Sequence, residues 1–467
     1  MVSELKRVLV ANRGEIAVRI IRACYDEGLE TVVAVSEADR DSLGAQLADR
    51  AICIGPANPA ESYLDIPRLI AAATLTGCDA LHPGYGFVSE RPELAQACAD
   101  AGIVFVGASP EAMRRSGDKL LARQTARELG ISIGEGSDAV ASETDARAIA
   151  DAIGFPILLK AAAGGGGRGM RLVATAEELG PAVSAAAAEA RQAFGDGRLF
   201  VERFVERARH VEVQVLADAH GNVIHLGHRD CTLQRRYQKL IEEAPAPGLP
   251  AALEQEMLSA ATRLIGSLDY RSAATCEFLV DPEREHYGFL EVNARLQVEH
   301  PVTEMVTGVD IVREQLRIAA GQALSVAQEE VRMSGHAIEA RINAEAAERG
   351  FMPSPGRISR WVAPVGSYVR VDSACFAGAT VPPHYDSIVA KVIALGADRP
   401  EAIARLVHAL AHLRVEGVQT TASFAREVLR HPDVVAGRVH TRWLEEEFMP
   451  RWASGAAAVP ARLSSTA

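Results

Sequence analysis

Two strand-like stretches of this 467-residue chain carry groups suited to holding a cation and an oxyanion together. In Phe289-Leu290-Glu291-Val292-Asn293-Ala294-Arg295-Leu296-Gln297-Val298-Glu299-His300-Pro301, the apolar residues Val292, Ala294, Leu296 and Val298 alternate with Glu291, Asn293, Arg295, Gln297 and Glu299. A period of two is the period of a strand. An edge strand with one wet face accounts for such alternation. The polar set, however, is rich in cation- and oxyanion-binding groups and contains no Lys, Ser or Thr. Upstream, Ala274-Thr275-Cys276-Glu277-Phe278-Leu279-Val280 sets one carboxylate in an apolar run. A buried carboxylate is costly unless it is paired or bound to a metal. Two antiparallel strands joined across Asp281 to His286, the second ending near Asn293, bring Glu277 beside Glu291 and Asn293. Carboxylates with an amide oxygen are hard ligands, suited to Mg²⁺ held with substrate phosphates.

A second group surrounds a glycine run. Phe155-Pro156-Ile157-Leu158-Leu159-Lys160 reads as a strand ending in Lys, and Met170-Arg171-Leu172-Val173 as another. Between them lie Gly164, Gly165, Gly166, Gly167, Arg168 and Gly169. Gly164, Gly166 and Gly169 match GxGxxG, but a dinucleotide fingerprint needs a helix next, and a strand follows. No Lys-Ser/Thr pair ends the run as in a Walker loop. What remains is a glycine-rich hairpin, either a lid laying backbone N–H groups over phosphates or a surface linker. Lys160 and Arg168 flank it with positive charge. A third group, Arg229-Asp230-Cys231-Thr232-Leu233-Gln234-Arg235-Arg236-Tyr237-Gln238-Lys239, is basic. It is a solvated face or a collector of an anionic substrate. His210, Glu212 and Gln214 share a face of an amphipathic strand. His210, His225 and His228 lack metal-ligand spacing and read as polar contacts.

The elements that must position these groups alternate from the N-terminus. Val8–Ala11 reads as a buried strand, Asn12-Arg13-Gly14 as a turn and Glu15–Glu27 as a helix. Strands at 31–35, 51–54, 80–82 and 103–106 follow, which describes a doubly wound parallel sheet. Gly84-Tyr85-Gly86-Phe87-Val88-Ser89-Glu90 sits after a strand, where such sheets bind ligands, although a tight loop explains its composition. Arg13 and Arg19 read as surface residues, or Arg19 as part of a subunit interface. Ser116-Gly117-Asp118-Lys119 opens a helix running through Leu129, with Lys119 either solvated or engaged. Glu339, Arg341 and Asn343 share a face of a later strand, and His384-Tyr385-Asp386-Ser387 and Lys391 fall between loop and strand. Helices at 401–413 and 421–429 close the pattern.

Composition narrows the classes. About three domains are expected at this length. The chain is 48% hydrophobic with a net charge of −12 and a pI near 5.6, so a nucleic-acid role is disfavoured. Met1–Arg7 does not read as a signal peptide, and no apolar run reaches membrane-spanning length. Seven Cys without a CxxC pair read as reduced thiols of a cytoplasmic protein with no zinc site.

Taken together the chain resembles a biotin carboxylase, the ATP-grasp component of biotin-dependent carboxylases. The resemblance spans roughly Arg7 to Glu447 and rests on Ala11-Asn12-Arg13-Gly14-Glu15-Ile16-Ala17, His82-Pro83-Gly84-Tyr85-Gly86-Phe87, Gly166-Gly167-Arg168-Gly169-Met170, Arg229-Asp230-Cys231, Gln234-Arg235-Arg236 and Gln297-Val298-Glu299-His300-Pro301-Val302-Thr303-Glu304. It implies an α/β fold, α+β overall. The implied parts are an N-terminal doubly wound domain (1–116), a helical linker (117–131), an ATP-grasp lid (132–204), an ATP-grasp core (205–330) and a C-terminal biotin carboxylase domain (331–447); beyond them the Ala/Ser-rich end of the chain reads as a disordered tail (448–467).

The resemblance also implies roles. Lys119, Lys160 and the glycine loop Gly164–Gly167 meet ATP phosphates. Glu202 and Val205 hold the adenine, His210 and Gln234 reach the ribose side, and Glu277 also contacts ATP. Glu277, Glu291 and Asn293 hold Mg²⁺ or Mn²⁺, two ions being expected. Lys239, Arg295, Gln297, Val298 and Glu299 gather bicarbonate, with Glu299 as its base, and Arg341 and Tyr85 face biotin. In the implied mechanism bicarbonate attacks the γ-phosphate to give carboxyphosphate and ADP. Carboxyphosphate then breaks to CO₂ and phosphate, phosphate deprotonates the ureido nitrogen, and the resulting enolate, stabilised by Arg341, attacks CO₂.

No Ala-Met-Lys-Met attachment motif occurs, so biotin is expected on a separate carrier protein, with separate carboxyltransferase subunits, an acyl-CoA acceptor and a homodimeric core. Arg203, Ala294, Tyr237, Glu135 and Gln419-Thr420-Thr421 depart from the commoner pattern. The rival readings are an ATP-grasp ligase joining a carboxylate to an amine, a non-catalytic nucleotide-binding subunit and an NAD-binding protein.

Overall fold

Five strands near the N-terminus, β1 (Arg7–Val10), β2 (Glu30–Ser36), β3 (Arg50–Gly55), β4 (Ala80–His82) and β5 (Val104–Phe105), pair in parallel in the order β3-β2-β1-β4-β5. The computed structural model describes residues 5–140, 142–162 and 170–453. Helix α1 (Gly14–Asp26) buries Ile16, Ala17, Ile20, Ile21, Ala23 and Cys24, the 3.6-residue stripe that packs it on the sheet. Strand order reverses between β1 and β4, the switch point at which open sheets leave a crevice. There the two loops are tied together, because the Asn12 amide donates to the carbonyls of Pro83 (2.6 Å) and Tyr85 (2.8 Å). Gly84 has φ +63°, and a Cβ on it would lie 3.0 Å from Asn12 and Ile16, so this approach requires glycine.

Strands β6 (Gly136–Val140), β7 (Ile157–Ala161), β8 (Met170–Val173) and β9 (Leu199–Arg203) form an antiparallel sheet in the order β6-β9-β7-β8. Lys160 faces Met170 across β7 and β8, so the glycine run does join two paired strands. Gly164–Gly167 themselves lie outside the described residues. Arg203 and Glu135 meet here, the guanidinium lying 2.7 Å from the carboxylate.

The third sheet has eight strands: β10 (Arg209–Ala217), β11 (Val223–Arg235), β12 (Gln238–Ala244), β13 (Ser272–Asp281), β14 (His286–Asn293), β15 (His336–Asn343), β16 (Val369–Ser373) and β17 (Ile388–Gly396). It is antiparallel, in the order β14-β13-β10-β11-β12-β15-β17-β16, and so joins strands from both sides of residue 330. All nine residues of β10 are buried, so both faces of the sheet are covered there. Val211, Val213 and Val215 join Phe278, Phe289 and the helix Ala251–Gly266 in one core. Glu212 and Gln214, displaced by one residue, point to the other face. A two-residue turn links β11 to β12 with both residues left-handed, Arg236 at φ 48° and Tyr237 at φ 63°, the geometry of a tight hairpin.

Two sequence expectations are corrected. Arg19 is not a surface residue. It is 9% exposed, and its guanidinium sits 2.9 Å from Glu304 and 2.6 Å from Asp310. The stretch from residue 448 does not begin as a disordered tail. Phe448 is buried against Phe424 and Trp443, each at 5.5 Å between ring centroids, and Met449–Ala453 is helical, because this aromatic cluster gives the chain apolar surface to bury. The rest of that stretch lies outside the described residues.

The pairing of β13 with β14 rests on Phe289, which is fully buried edge-on to Phe278 at 6.0 Å. Phe289→Ala is expected to lower the opening free energy of this hairpin by about 3–5 kcal/mol. Hydrogen exchange at the β13–β14 amides reads this directly, and unchanged protection would contradict it.

Candidate active site

Backbone register sets a row of four charges across four neighbouring strands. On β10, Glu212 pairs with Arg229 of β11 on one side and with Glu277 of β13 on the other, and Glu277 pairs in turn with Glu291 of β14. Carboxylates directly opposite repel unless cations stand between them. Lys239 supplies one, its ammonium lying 2.6 Å from Glu212, 3.1 Å from Glu277 and 2.6 Å from Glu299. Arg229 supplies another, donating at 2.6 Å to Glu212, 2.8 Å to Gln214, 3.0 Å to Thr303 and 3.2 Å to Thr275. The Arg229–Lys239 stretch is therefore not a solvated face at these two positions. Arg229 is fully buried, and only Arg236, Tyr237 and Gln238 of the stretch, at the turn, are exposed.

The segment after β14 completes the cluster. The Asn293 amide donates to Glu277 at 2.9 Å, and Gln297 does so at 3.4 Å. Arg295 donates to Gln297 at 2.8 Å and to Asn293 at 3.2 Å, and pairs with Glu90 of the N-terminal domain at 3.0 Å. Glu299 is fully buried and divides its oxygens, Oε1 toward Lys239 and Oε2 toward the Arg341 guanidinium at 2.8 Å. Arg341 also donates at 2.5 Å to Glu242. At the other end Lys119, first residue of the helix Lys119–Glu128, lies 2.8 Å from Glu291. Lys160 and Arg123 both pair with Glu202.

These pairings decide the protonation states. Burial by itself raises the Glu299 carboxyl, but Lys239, Arg341 and Arg229 together outweigh it and hold the group well below the carboxylate range. Glu277 behaves alike, burial being overcome by Lys239 and His210, whose ring nitrogen is 3.0 Å away. Glu202 is lowered against burial by Lys160 and Arg123. Glu242 goes the other way. Burial, reinforced by the charge of Glu299, exceeds the pull of Arg341 and lifts it to about 7. The site thus separates carboxyls that stay ionised from Glu242, poised near neutrality.

The structure brings Glu277, Glu291, Asn293, Arg295, Gln297, Val298, Glu299, Lys239, His210 and Arg341 into one continuous cluster. Lys119 joins it through Glu291. Glu202 and Lys160 stand on β9 and β7, and Val205 lies just past the end of β9. Gln234 donates to the Cys231 carbonyl at 3.4 Å. The Tyr85 ring centroid is 5.7 Å from the Lys391 ammonium, and its buried hydroxyl has no hydrogen-bond partner among the described residues. Sequence reasoning did not single out Glu90, Arg123 or Glu242, and treated Glu212 only as part of a polar strand face. Of these only Glu212 carried a signal, its alternation with Val211 and Val213. The donor set of Glu277, Glu291 and Asn293 fits a hard divalent cation: oxygen ligands on adjacent strands, with the two carboxylates compensated here by Lys239 and Lys119.

Comparison with known proteins adds the lineage. A family model described as "Biotin carboxylase, N-terminal domain" matches residues 4–113, one described as "Carbamoyl-phosphate synthase L chain, ATP binding domain" matches 118–327, and "Biotin carboxylase C-terminal domain" matches 339–446. Biotin carboxylase 1 of Bacillus subtilis is 48% identical over 442 residues, covering 94% of this chain and 98% of that one. A solved biotin carboxylase from Campylobacter jejuni, in a β-γ-ATP complex, superposes with a TM-score of 0.93 at 44% identity and covers 95% of this chain and 99% of that one. The biotin carboxylase domain dimer of Hydrogenobacter thermophilus 2-oxoglutarate carboxylase, with MgADP and bicarbonate, superposes at 0.92 with 43% identity, covering 96% of this chain and 98% of that one. Near-half identity along almost the whole length, on a shared three-part architecture, places the chain in the biotin carboxylase family, a family of ATP-dependent ligases.

Proposed function

We propose that this enzyme carboxylates biotin borne on a separate carrier protein, using ATP and bicarbonate through carboxyphosphate, as the first half-reaction of an acyl-CoA carboxylase. The observation that carries the proposal is Glu299, fully buried and held between Lys239 and Arg341. A buried carboxylate flanked by two cations suits a small oxyanion that must lose a proton there. In this reading bicarbonate lies among Lys239, Arg295, Gln297 and the Val298 backbone, and its proton passes to Glu299 as its oxygen attacks the γ-phosphate. An anion that shares the charge of Lys239 and Arg295 weakens their hold on Glu299 and so raises its basicity toward the task. Lys119 and Lys160 turn from Glu291 and Glu202 toward the phosphates, offsetting charge on the transferring phosphoryl group. The glycine loop Gly164–Gly167 covers them, Glu202 and Val205 hold the adenine, and His210, Gln234 and Glu277 complete the nucleotide side.

Glu277, Glu291 and Asn293 hold Mg²⁺, or Mn²⁺ in its place. When bound, the cation neutralises phosphate charge and orients the γ-phosphoryl group. Arg341 and Tyr85 face biotin, and Arg341 stabilises the enolate that attacks CO₂, a step from which water must be kept. The division of labour assigned to the chain is a nucleotide lid at 132–204 and an ATP-grasp core at 205–330, flanked by domains at 1–116 and 331–447, with 117–131 as linker. The partners are a carrier protein, carboxyltransferase subunits and a second copy of this chain. The Hydrogenobacter relative, solved as a domain dimer with MgADP and bicarbonate, supports the dimer, the metal nucleotide and the anion. A cytoplasmic setting is assigned. No described helix is long and apolar enough to cross a membrane.

ADP release by the purified chain with Mg²⁺, ATP and bicarbonate is expected to rise on adding free biotin, and to lose that rise when bicarbonate is withheld. A requirement for an amine co-substrate instead would move the enzyme to another ATP-grasp reaction. Arg341→Ala is expected to lower biotin carboxylation by roughly 10²–10³-fold, as loss of one donor to a developing oxyanion does, with nucleotide affinity by calorimetry unchanged. Near-native carboxylation would remove the enolate role. Glu299→Gln, which keeps shape and loses the base, should lower bicarbonate-dependent ADP release by about 10²–10⁴-fold, and full turnover would remove the base assignment.

A further inference from the structure

Lys391 stands on β17 with 0% exposure, and none of the chemistry above uses it. A buried ammonium is retained only where its charge and its donors are met. Its neighbours come from three separate segments. Nζ donates at 2.9 Å to the carbonyl of Val298, lies 3.1 Å from a carboxylate oxygen of Glu15 on α1, and lies 3.9 Å from Asp372 on β16. Tyr85 presents its ring on a further side, at 5.7 Å to the centroid.

The Val298 carbonyl belongs to the peptide whose N–H is that of Glu299. The preceding carbonyl, of Gln297, is also held, by the His300 ring nitrogen Nδ1 at 2.7 Å and by the His300 backbone N–H at 3.3 Å. Burial, then the charges of Lys391, Arg19 and Arg370, keep that imidazole neutral, so Nδ1 carries the proton that the carbonyl accepts. Two successive carbonyls of the segment leading into Glu299 are thus pinned by buried side chains. Register adds a third restraint, because Lys391 is the cross-strand partner of Arg341. One strand pair therefore fixes both the carboxylate of Glu299, through Arg341, and its peptide, through Lys391.

We infer that Lys391 is a positioning residue for the bicarbonate site: it locks the Val298–Glu299 peptide, with Glu15 and Asp372 as the carboxyls beside it, so that the Glu299 carboxylate meets Lys239 and Arg341 in a single geometry. The inference rests on the proposed role of Glu299. It ties the N-terminal domain, through α1, to the segment that carries the base.

Lys391→Met keeps the apolar stem and removes the ammonium, but strands Glu15 beside Asp372. Glu15→Gln combined with Lys391→Met removes one of those stranded charges. Steady-state kinetics of both variants, with thermal midpoints, test the inference. The expected result is a loss of about 10²-fold in kcat/KM for bicarbonate, with KM for ATP within about twofold. The double variant should regain thermal stability over the single one without regaining bicarbonate kinetics. A folded double variant with native kcat/KM for bicarbonate, or one in which the ATP and bicarbonate constants fall together, would overturn the inference. Glu299→Gln assayed alongside separates the two levels. If it retains full turnover, the site reading fails. If it is inactive while the double variant is native, only Lys391 loses its role.

Discussion

Lys239 meets three buried carboxylates at once, and the rest of the site depends on that arrangement. Glu212, Glu277 and Glu299 converge on one ammonium at 2.6–3.1 Å. Two of the three come from directly opposed positions on neighbouring strands. Without an interleaved cation the row would repel itself, and each carboxyl would take up a proton. With it, Glu299 and Glu277 stay ionised in a setting that excludes water. The same compensation explains why each remaining cation of the site is paired with a carboxylate: Lys119 with Glu291, Lys160 with Glu202, Arg295 with Glu90. In the proposed reading, an entering phosphate or bicarbonate would find its positive partners already placed, and each cation would exchange a carboxylate neighbour for another oxyanion.

The sheet makes this possible because it is covered on both faces. β10 turns its valines into the core beneath the helix Ala251–Gly266 and turns Glu212 and Gln214 toward the opposite side, where a charged network replaces a second apolar layer. Each separate part of the chain then lends a pair of groups. The N-terminal domain contributes Glu15 from α1 and Glu90 from the loop after β4, the smaller antiparallel sheet Lys160 and Glu202, and the late strands Arg341 and Lys391. Charged groups brought together from such distances along the chain are costly unless every partner arrives, so the network fixes the relative placement of these parts as well as the chemistry between them.

Much of this was legible beforehand, and for identifiable reasons. Alternation of Val292, Ala294 and Val298 with charged neighbours announced the strand and the segment leading out of it, because side chains in extended backbone point alternately to two faces. The lone Glu277 in an apolar run announced a compensated carboxylate, and its pairing with Glu291 is the observed register. The strand after Gly169 ruled out a dinucleotide fingerprint, and β8 stands there. The surface reading of Arg19 failed because nothing local distinguishes an arginine on a wet helix face from one turned toward acids 285 and 291 residues away. Arg203 and Glu135 read separately as departures from a pattern, yet they are a single compensating pair.

By itself the sequence determined the element types, the doubly wound start, the strand pair bearing Glu277 and Glu291, and membership of a family through its ordered motifs. These are properties of periodicity and local chemistry, which neighbouring residues encode. Only the tertiary structure decided which charges compensate which: that Lys239 serves three carboxylates, that Arg229 is interior, that Glu242 is raised toward neutrality while Glu299 is held low, and that Lys391 reaches the Val298 carbonyl. Coulomb interactions and desolvation depend on distance in space and on burial, and neither can be read from separation along the chain.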